Sequence, residues 1–228
     1  MKKTYHDVEW IERARAVQEE CKNIHLLSPP IVLWKAEVFN QRGKQIEEII
    51  GKSNSYNRNG LNLLFDHLCL ASAGVIGTLW QDAVVSYRNK TNTANQNSPY
   101  GHYNSDSNTY IDVGYGTTAE SIDHINLATT FGAGNGENQL NRGNTQVNTS
   151  FDSATRKFHN DVARSFGNGY GSDQEIKEIG LFTYLGRVLS TSTASLMDVM
   201  IMRDLLASPI TVPSAGAVVI HYNFEVQY

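Results

Sequence analysis

The C-terminal segment AVVIHYNFEVQ, from Ala217 to Gln227, places apolar side chains at every second position. One set of alternate positions is Val218, Ile220, Tyr222, Phe224 and Val226. The other set is Val219, His221, Asn223, Glu225 and Gln227. Because successive side chains of a strand point to opposite faces of its sheet, this period predicts a strand with one buried face and one wetter face.

Five segments of strand character fill the second half of the chain. They are Gln146 to Phe151, Arg156 to Phe166, Gln174 to Tyr184, Leu196 to Leu206 and Ala217 to Gln227. The turn-forming stretches GNGYGSD, STSTAS and SPITVPSAG separate several of them. Nearer the N-terminus, IVLWKAEVFN and KQIEEII flank a QRG turn and predict a hairpin. The spacing predicts a mainly β fold, and specifically an antiparallel β-sandwich.

Two segments have helical periodicity. From Tyr5 to Ile24 an apolar residue recurs every three or four positions, which predicts an amphipathic N-terminal helix. This stripe comprises Val8, Ile11, Ala14, Val17, Cys21 and Ile24. NGLNLLFDHLCLASAG, residues 59–74, predicts one internal helix. The sequence thus predicts an N-terminal helical arm, residues 1–28, and a single sandwich domain, residues 29–228, with a polar loop insert near 89–107.

Composition narrows the class of protein. The 228 residues carry a net charge of −4 without a Lys/Arg cluster, which argues against general nucleic-acid or anionic-membrane binding. No run of eighteen uncharged apolar residues occurs, and no apolar region follows the first lysines, so we expect neither membrane insertion nor a secretory signal. Cys21 and Cys69 lie in helical apolar patterns and are expected to be small buried hydrophobes.

Gly114, Gly116 and Ala119 have the G-x-G-x-x-A spacing of a dinucleotide fingerprint. That fold requires a full crossover helix and then a parallel strand that ends in an acidic residue. Here only one short helical turn follows, and Glu137 lies in the loop sequence GNGEN. The sequence therefore favours no nucleotide or other cofactor.

Catalytic and metal-binding patterns are also weak. The histidines have no H-x-x-x-H spacing, and His124 and His159 are predicted to be surface or satisfied core residues. No serine lies in G-x-S-x-G, and neither cysteine has a nucleophile context. We expect no catalytic residues and no metal site, although a carboxylate pair for glycoside hydrolysis is defined only by its separation in space.

Four tyrosines cluster in the polar central region of the chain. They are Tyr100, Tyr103, Tyr110 and Tyr115. Their rings suit stacking on sugars, contact with a protein partner, or simple packing at the edge of the fold, and the sequence leaves these three roles open.

Several motifs, taken in order, resemble those of structural proteins of tailed-bacteriophage virions, the β-rich components of tails, collars and appendages. AEVFNQRG from Ala36 precedes KSNSYNRNGLNLL from Lys52. Then VGYGTT from Val113 is followed by Asp123 and Leu127, and EIKEIGLF from Glu175 precedes MIMRDLLASPITVPSAGAVVIHYNFEV from Met200. The resemblance spans most of residues 33–226, but not the N-terminal helix or the polar insert.

The resemblance implies a virion protein, made in the host bacterial cytoplasm, that contacts neighbouring virion proteins and copies of itself in a ring or trimer. It implies that Gly114, Gly116 and Gly180 are structural turn glycines. We expect Val8, Trp10, Ile11 and Val17 to be contact residues, either as a docking arm or in packing on the chain's own sandwich. An alternative function is a carbohydrate-binding or host-receptor-binding module, and a glycan hydrolase is a third.

Overall fold

The computed structural model describes residues 1–23, 31–53, 78–81, 87–90, 109–189 and 193–227. These residues form a mainly β structure with one helix, α1 (Val8–Asn23). The strands are β1 (Lys2–Tyr5), β2 (Ile31–Phe39), β3 (Gln45–Lys52), β4 (Thr78–Gln81), β5 (Tyr87–Lys90), β6 (Thr109–Gly114), β7 (Asn141–Asp152), β8 (Lys157–Gly167), β9 (Gln174–Leu189), β10 (Thr193–Val212) and β11 (Ala217–Gln227). The predicted internal helix and residues 91–107 of the predicted polar insert lie outside the described residues.

The chain divides into two compact units, whereas the sequence predicts one domain from residue 29 onward. Unit 1 consists of Met1–Asn54, Phe131–Ile176 and Ser208–Tyr228. Unit 2 consists of Ser55–Thr130 and Lys177–Ala207. The segment predicted to be a separate N-terminal arm thus belongs to unit 1.

Unit 1 contains a six-stranded sheet with the order β1-β3-β2-β11-β8-β7. Its neighbouring strands pair antiparallel, except that β1 pairs parallel with β3. The β2–β3 hairpin has the predicted turn: the Oδ1 atom of Asn40 accepts hydrogen bonds from the N–H groups of Arg42 and Lys44. Gly43 has a φ of 70°, a conformation that glycine adopts without steric cost.

The predicted alternation of β11 is confirmed as far as Phe224, but Val226 is only partly buried and Gln227, predicted on the wetter face, is buried with its amide donating to the carbonyl oxygen of Thr155. Val218, Ile220, Tyr222 and Phe224 are buried, while His221 and Asn223 are only partly buried. Helix α1 packs against β11 and β3, and Ile11 forms a buried cluster with Ile31 and Leu33. Since Leu33 pairs with Asn223 in the sheet, α1 lies on the wetter face. β2 is therefore buried on both faces at its start.

Unit 2 has β6 paired antiparallel with β9, in a three-stranded sheet of order β10-β9-β6. Ile111 and Val113 of β6 and Ile179 and Leu181 of β9 are completely buried. β4 and β5 form a short antiparallel hairpin. In the described part of the chain, no helix has the length and apolar character needed to cross a membrane.

Candidate functional site

A buried carboxylate organises the loop that follows β6 in unit 2. Glu178 of β9 has no solvent exposure. Its Oε1 atom accepts hydrogen bonds from the N–H groups of Gly116, at 3.1 Å, and Thr129, at 2.9 Å. Its Oε2 atom accepts a third from the N–H of Ala128, at 3.0 Å. One side chain therefore fixes both ends of the segment 115–130, which we call the central loop.

Arg203 of β10 neutralises this carboxylate and extends the network. Its Nε atom donates to Oε2 of Glu178 at 2.8 Å, and its side chain is 2% exposed. One terminal nitrogen donates to the carbonyl oxygen of Thr118 at 2.8 Å, and the other lies 2.8 Å from Nδ1 of His124. Charges removed from water in this way are stable only when they are paired and fully hydrogen-bonded, as they are here.

The imidazole of His124 completes the cluster from the loop side. Its Nδ1 atom accepts a hydrogen bond from the N–H of Ser121 at 3.1 Å and also faces the guanidinium of Arg203. Because both partners are donors, the neutral ring carries its proton on Nε2. Burial of the ring, and then the positive charge of Arg203, lower the pKa of His124 below its ordinary value. This histidine is thus a neutral acceptor within the network.

Two of the three predicted turn glycines, Gly114 and Gly116, lie at this cluster, and all three glycines allow close approach instead of forming turns. Gly114 ends β6 and Gly180 lies within β9. A Cβ atom on Gly116 would lie 2.5 Å from Oε1 of Glu178, and so would one on Gly114. A Cβ atom on Gly180 would lie 2.8 Å from the ring of Phe182. Any larger residue would displace the groups that hold the central loop.

Sequence reasoning missed Glu178 and Arg203, and it predicted His124 to be a surface or satisfied core residue without indicating its partners. A signal for the pair was present: each is a single charged residue on the inward-facing side of an apolar strand segment. Such residues are almost never fully buried unless they are paired. The sequence could not show that these two strands bring them together.

The predicted tyrosine cluster is only partly described. Tyr110 of β6 stacks on Phe182, with the ring centroids 5.1 Å apart and the planes 6° from parallel. Tyr115 is partly buried, and its N–H donates to the carbonyl oxygen of Thr129 at 2.9 Å. Tyr100 and Tyr103 lie outside the described residues. Of the two described tyrosines, Tyr110 has one ring face occupied by its contact with Phe182.

The four predicted contact residues of α1 fall into two groups. Ile11 is 7% exposed and packs on the sheet. Val8, Trp10 and Val17 are 46%, 36% and 44% exposed. The buried face of the helix runs instead through Ile11 and Gln18, because the Gln18 amide donates to the carbonyl oxygen of Glu225 at 3.3 Å. Trp10 and Val17, seven residues apart, share one exposed flank.

A second polar cluster lies on the wetter face of the unit 1 sheet. Nδ1 of His221 lies 3.1 Å from both carboxylate oxygens of Asp161, and Nζ of Lys35 lies 2.8 Å from Glu37. Next to it, α1 and the sheet line an open pocket of about 290 Å³. Among the described residues, no three His, Cys, Asp or Glu side chains are grouped closely enough to hold a metal ion.

Comparison with known proteins leaves this geometry as the basis for assigning a function. No protein-family model, curated protein sequence or solved structure matches the chain.

Proposed function

We propose that this chain is a non-enzymatic structural component of a tailed-phage virion. It forms a β-sandwich building block of the tail, the neck or collar, or an appendage, and it assembles with copies of itself and with neighbouring virion proteins. It acts within the virion after synthesis in the host cytoplasm, without a cofactor.

One observation carries the proposal: three of the motifs that resemble virion proteins meet at a single buried cluster. VGYGTT supplies Gly114 and Gly116, EIKEIGLF supplies Glu178, and MIMRDLL supplies Arg203. The charged groups of Glu178 and Arg203 bind one another and the backbone of the central loop. Because these charged groups are occupied in holding the loop, they favour a structural building block with a rigid loop. A catalyst would instead need a reactive group that a substrate can reach.

The surface properties of the described residues also favour protein contacts. Trp10 and Val17 form an exposed apolar flank on α1, and Ile122 of the central loop is 50% exposed. A fixed loop and a helix flank suit repeated contacts, because little conformational entropy is lost when a neighbouring subunit binds. Exposed apolar residues of this kind are also characteristic of interaction surfaces.

The proposal is tested by measuring the mass of the purified native protein by light scattering and by viewing the particles in negative-stain electron microscopy. We expect rings, trimers or tubes, and the shape distinguishes an annular connector from an appendage. A chain that remains at the 25.4 kDa of one copy at high concentration contradicts self-assembly. Glycan-array binding by such a monomer would instead favour the host-receptor-binding alternative.

A further inference from the structure

The two edges of the unit 1 sheet differ in how they are protected. At one edge, β1 has only four residues, and its lysines pair with Glu47 and Glu48 at 2.7 and 2.9 Å. Short, lysine-bearing strands are a common protection against unwanted strand pairing. At the other edge, β7 has twelve residues, and every residue from Gln146 to Asp152 is exposed. The β7 edge therefore lacks the protection that β1 has.

The composition of β7 also favours pairing. The segment TQVNTSF, residues 145–151, contains no charge, proline or glycine. A register shift against β8 is confined to the region between Arg142 and Thr145, so the segment that follows is regular. An uncharged and regular edge strand is a template for another strand.

The apolar face of the sheet, opposite the face that α1 covers, continues outward to the β7 edge. Trp34, Tyr222, Val162 and Val147 are successive partners across four strands. Their exposed fractions are 5%, 0%, 0% and 38%. Phe151 and Phe158, directly opposite each other, are 50% and 40% exposed on the same face. A strand added beside β7 would extend the sheet over this apolar margin.

We propose that a second copy of this chain adds its own β7 to this edge, antiparallel and centred on Val147. This inference rests on the self-assembly in the proposed function and names its surface. The sequence of the strand favours this partner and this direction, because TQVNT, residues 145–149, is nearly symmetric about Val147. Antiparallel self-pairing centred on Val147 places Thr145 opposite Thr149 and Gln146 opposite Asn148. Thr–Thr pairs that face each other across two strands stabilise an antiparallel sheet.

The resulting contact has twofold symmetry, the commonest arrangement in homo-oligomers. The two Val147 side chains lie opposite each other at the centre, where cross-strand neighbours interact most strongly. The two six-stranded sheets become one continuous sheet, and a pair formed in this way can act as the repeating unit of a larger assembly.

The test uses the full chain and two variants, Val147→Lys and Val147→Glu, with Ile46→Lys as the matched control. Ile46 is 37% exposed on β3, so the control adds the same charge to a surface residue at another place. Circular dichroism and the urea midpoint are used to check that each variant folds. Mass is then measured by light scattering over a range of concentrations.

We expect the native chain and the Ile46→Lys variant to reach at least twice the 25.4 kDa of one chain. Each Val147 variant places like charges opposite each other and should weaken pairing about tenfold or more. An equimolar mixture of the two Val147 variants should restore it, because the introduced lysine then faces the introduced glutamate.

Three outcomes overturn the inference in distinguishable ways. If the Val147 variants assemble as the native chain does, β7 is not the contact, while self-assembly stands. If both variants are monomers but their mixture does not pair, the two copies do not meet at Val147. If the native chain is itself a monomer at every concentration, both the β7 contact and self-assembly are wrong.

Discussion

The guanidinium of Arg203 donates from Nε to Oε2 of Glu178 across 2.8 Å, and neither side chain is more than 2% exposed. Glu178 accepts three further hydrogen bonds, from the backbone N–H groups of Gly116, Ala128 and Thr129. The Glu178 carboxylate therefore has a second role besides pairing with Arg203. It accepts the hydrogen bonds of backbone N–H groups in the central loop, which in a helix or sheet would go to backbone carbonyl oxygens. Four predictions test this cluster and the helix.

Glu178→Gln should strongly destabilise the protein. The substitution keeps the size of the side chain but leaves the charge of Arg203 buried without its counter-ion. It also places amide hydrogens among backbone N–H donors. Removal of one partner of a buried pair typically costs about 3–5 kcal/mol, and we expect a loss in the free energy of unfolding of that order, measured by urea denaturation.

Glu9→Gln is the control for that substitution. Glu9 pairs with Arg13 at 3.9 Å on α1, with both side chains more than 80% exposed, and exposed pairs contribute little. The urea midpoint of this variant should be almost unchanged. Equal losses of unfolding free energy in Glu178→Gln and Glu9→Gln would show that the buried Glu178–Arg203 pair stabilises the protein no more than an exposed pair does.

Gly116→Ala should loosen the central loop. The new Cβ atom would lie 2.5 Å from Oε1 of Glu178 and 2.7 Å from the Cβ atom of Ala128, so the hydrogen bond from Gly116 to Glu178 must shift. Overpacking of this kind costs about 1–3 kcal/mol, measured as a lower urea midpoint.

Gly171→Ala provides the comparison, because no atom lies within 4 Å of its new Cβ position. Its stability should change by less than about 0.5 kcal/mol. Identical urea midpoints for the Gly116 and Gly171 variants would contradict a close-approach role for Gly116.

Local patterns allowed much of the fold to be predicted. Strand β11 has the bounds that its alternation indicates, and the β2–β3 hairpin has its predicted turn. Strand β1 was missed, because KKTY is short and polar and is fixed by its pairing with β3, far along the chain. Local patterns also do not indicate the two compact units, because unit 2 joins segments separated by more than forty residues.

The candidate site was less predictable than the fold. Glu178 and Arg203 are 25 residues apart and lie on different strands, so their pairing depends on strand order and register. The face of α1 was also predicted only in part. The apolar stripe grouped Val17 with Ile11, but the polar Gln18 is buried because Glu225 supplies an acceptor. Whether such a polar residue is buried depends on a partner that lies far away in the sequence.

His124 should make the stability of the protein depend on pH. Its pKa in the folded state is below the ordinary 6.5, so the unfolded chain binds the proton more readily. The stabilisation is complete above pH 6.5 and is lost as the pH falls from there toward the folded-state pKa. Urea denaturation between pH 7.5 and pH 5 should therefore show a steeper loss in the native chain than in His124→Gln.

The comparison concerns the slope of stability against pH, since the variant also loses the contact with Arg203 and starts lower. Asp152 has a lowered pKa too, but it titrates in a more acidic range and is the same in both proteins. Parallel slopes between pH 7 and pH 5 would show that His124 does not supply the pH dependence.

Substitutions in α1 should separate its role in folding from its role in assembly. Ile11→Ala removes a side chain that is buried against Ile31 and Leu33, and it should cost about 2–4 kcal/mol of stability. The double substitution Trp10→Ala with Val17→Ala removes the exposed flank instead. We expect a cost of about 1 kcal/mol or less, mainly from the loss of the contact between the Trp10 ring and Lys52 at 5.6 Å.

The same two proteins are then compared by light scattering, at concentrations where each is folded by circular dichroism. The flank variant should form smaller assemblies than the native chain, because its exposed apolar surface contributes to contacts with neighbouring subunits. The Ile11 variant should keep the native assembly size as long as it remains folded. If the flank variant assembles as the native chain does, Trp10 and Val17 are not contact residues, and α1 serves only to cover the wetter face of the sheet.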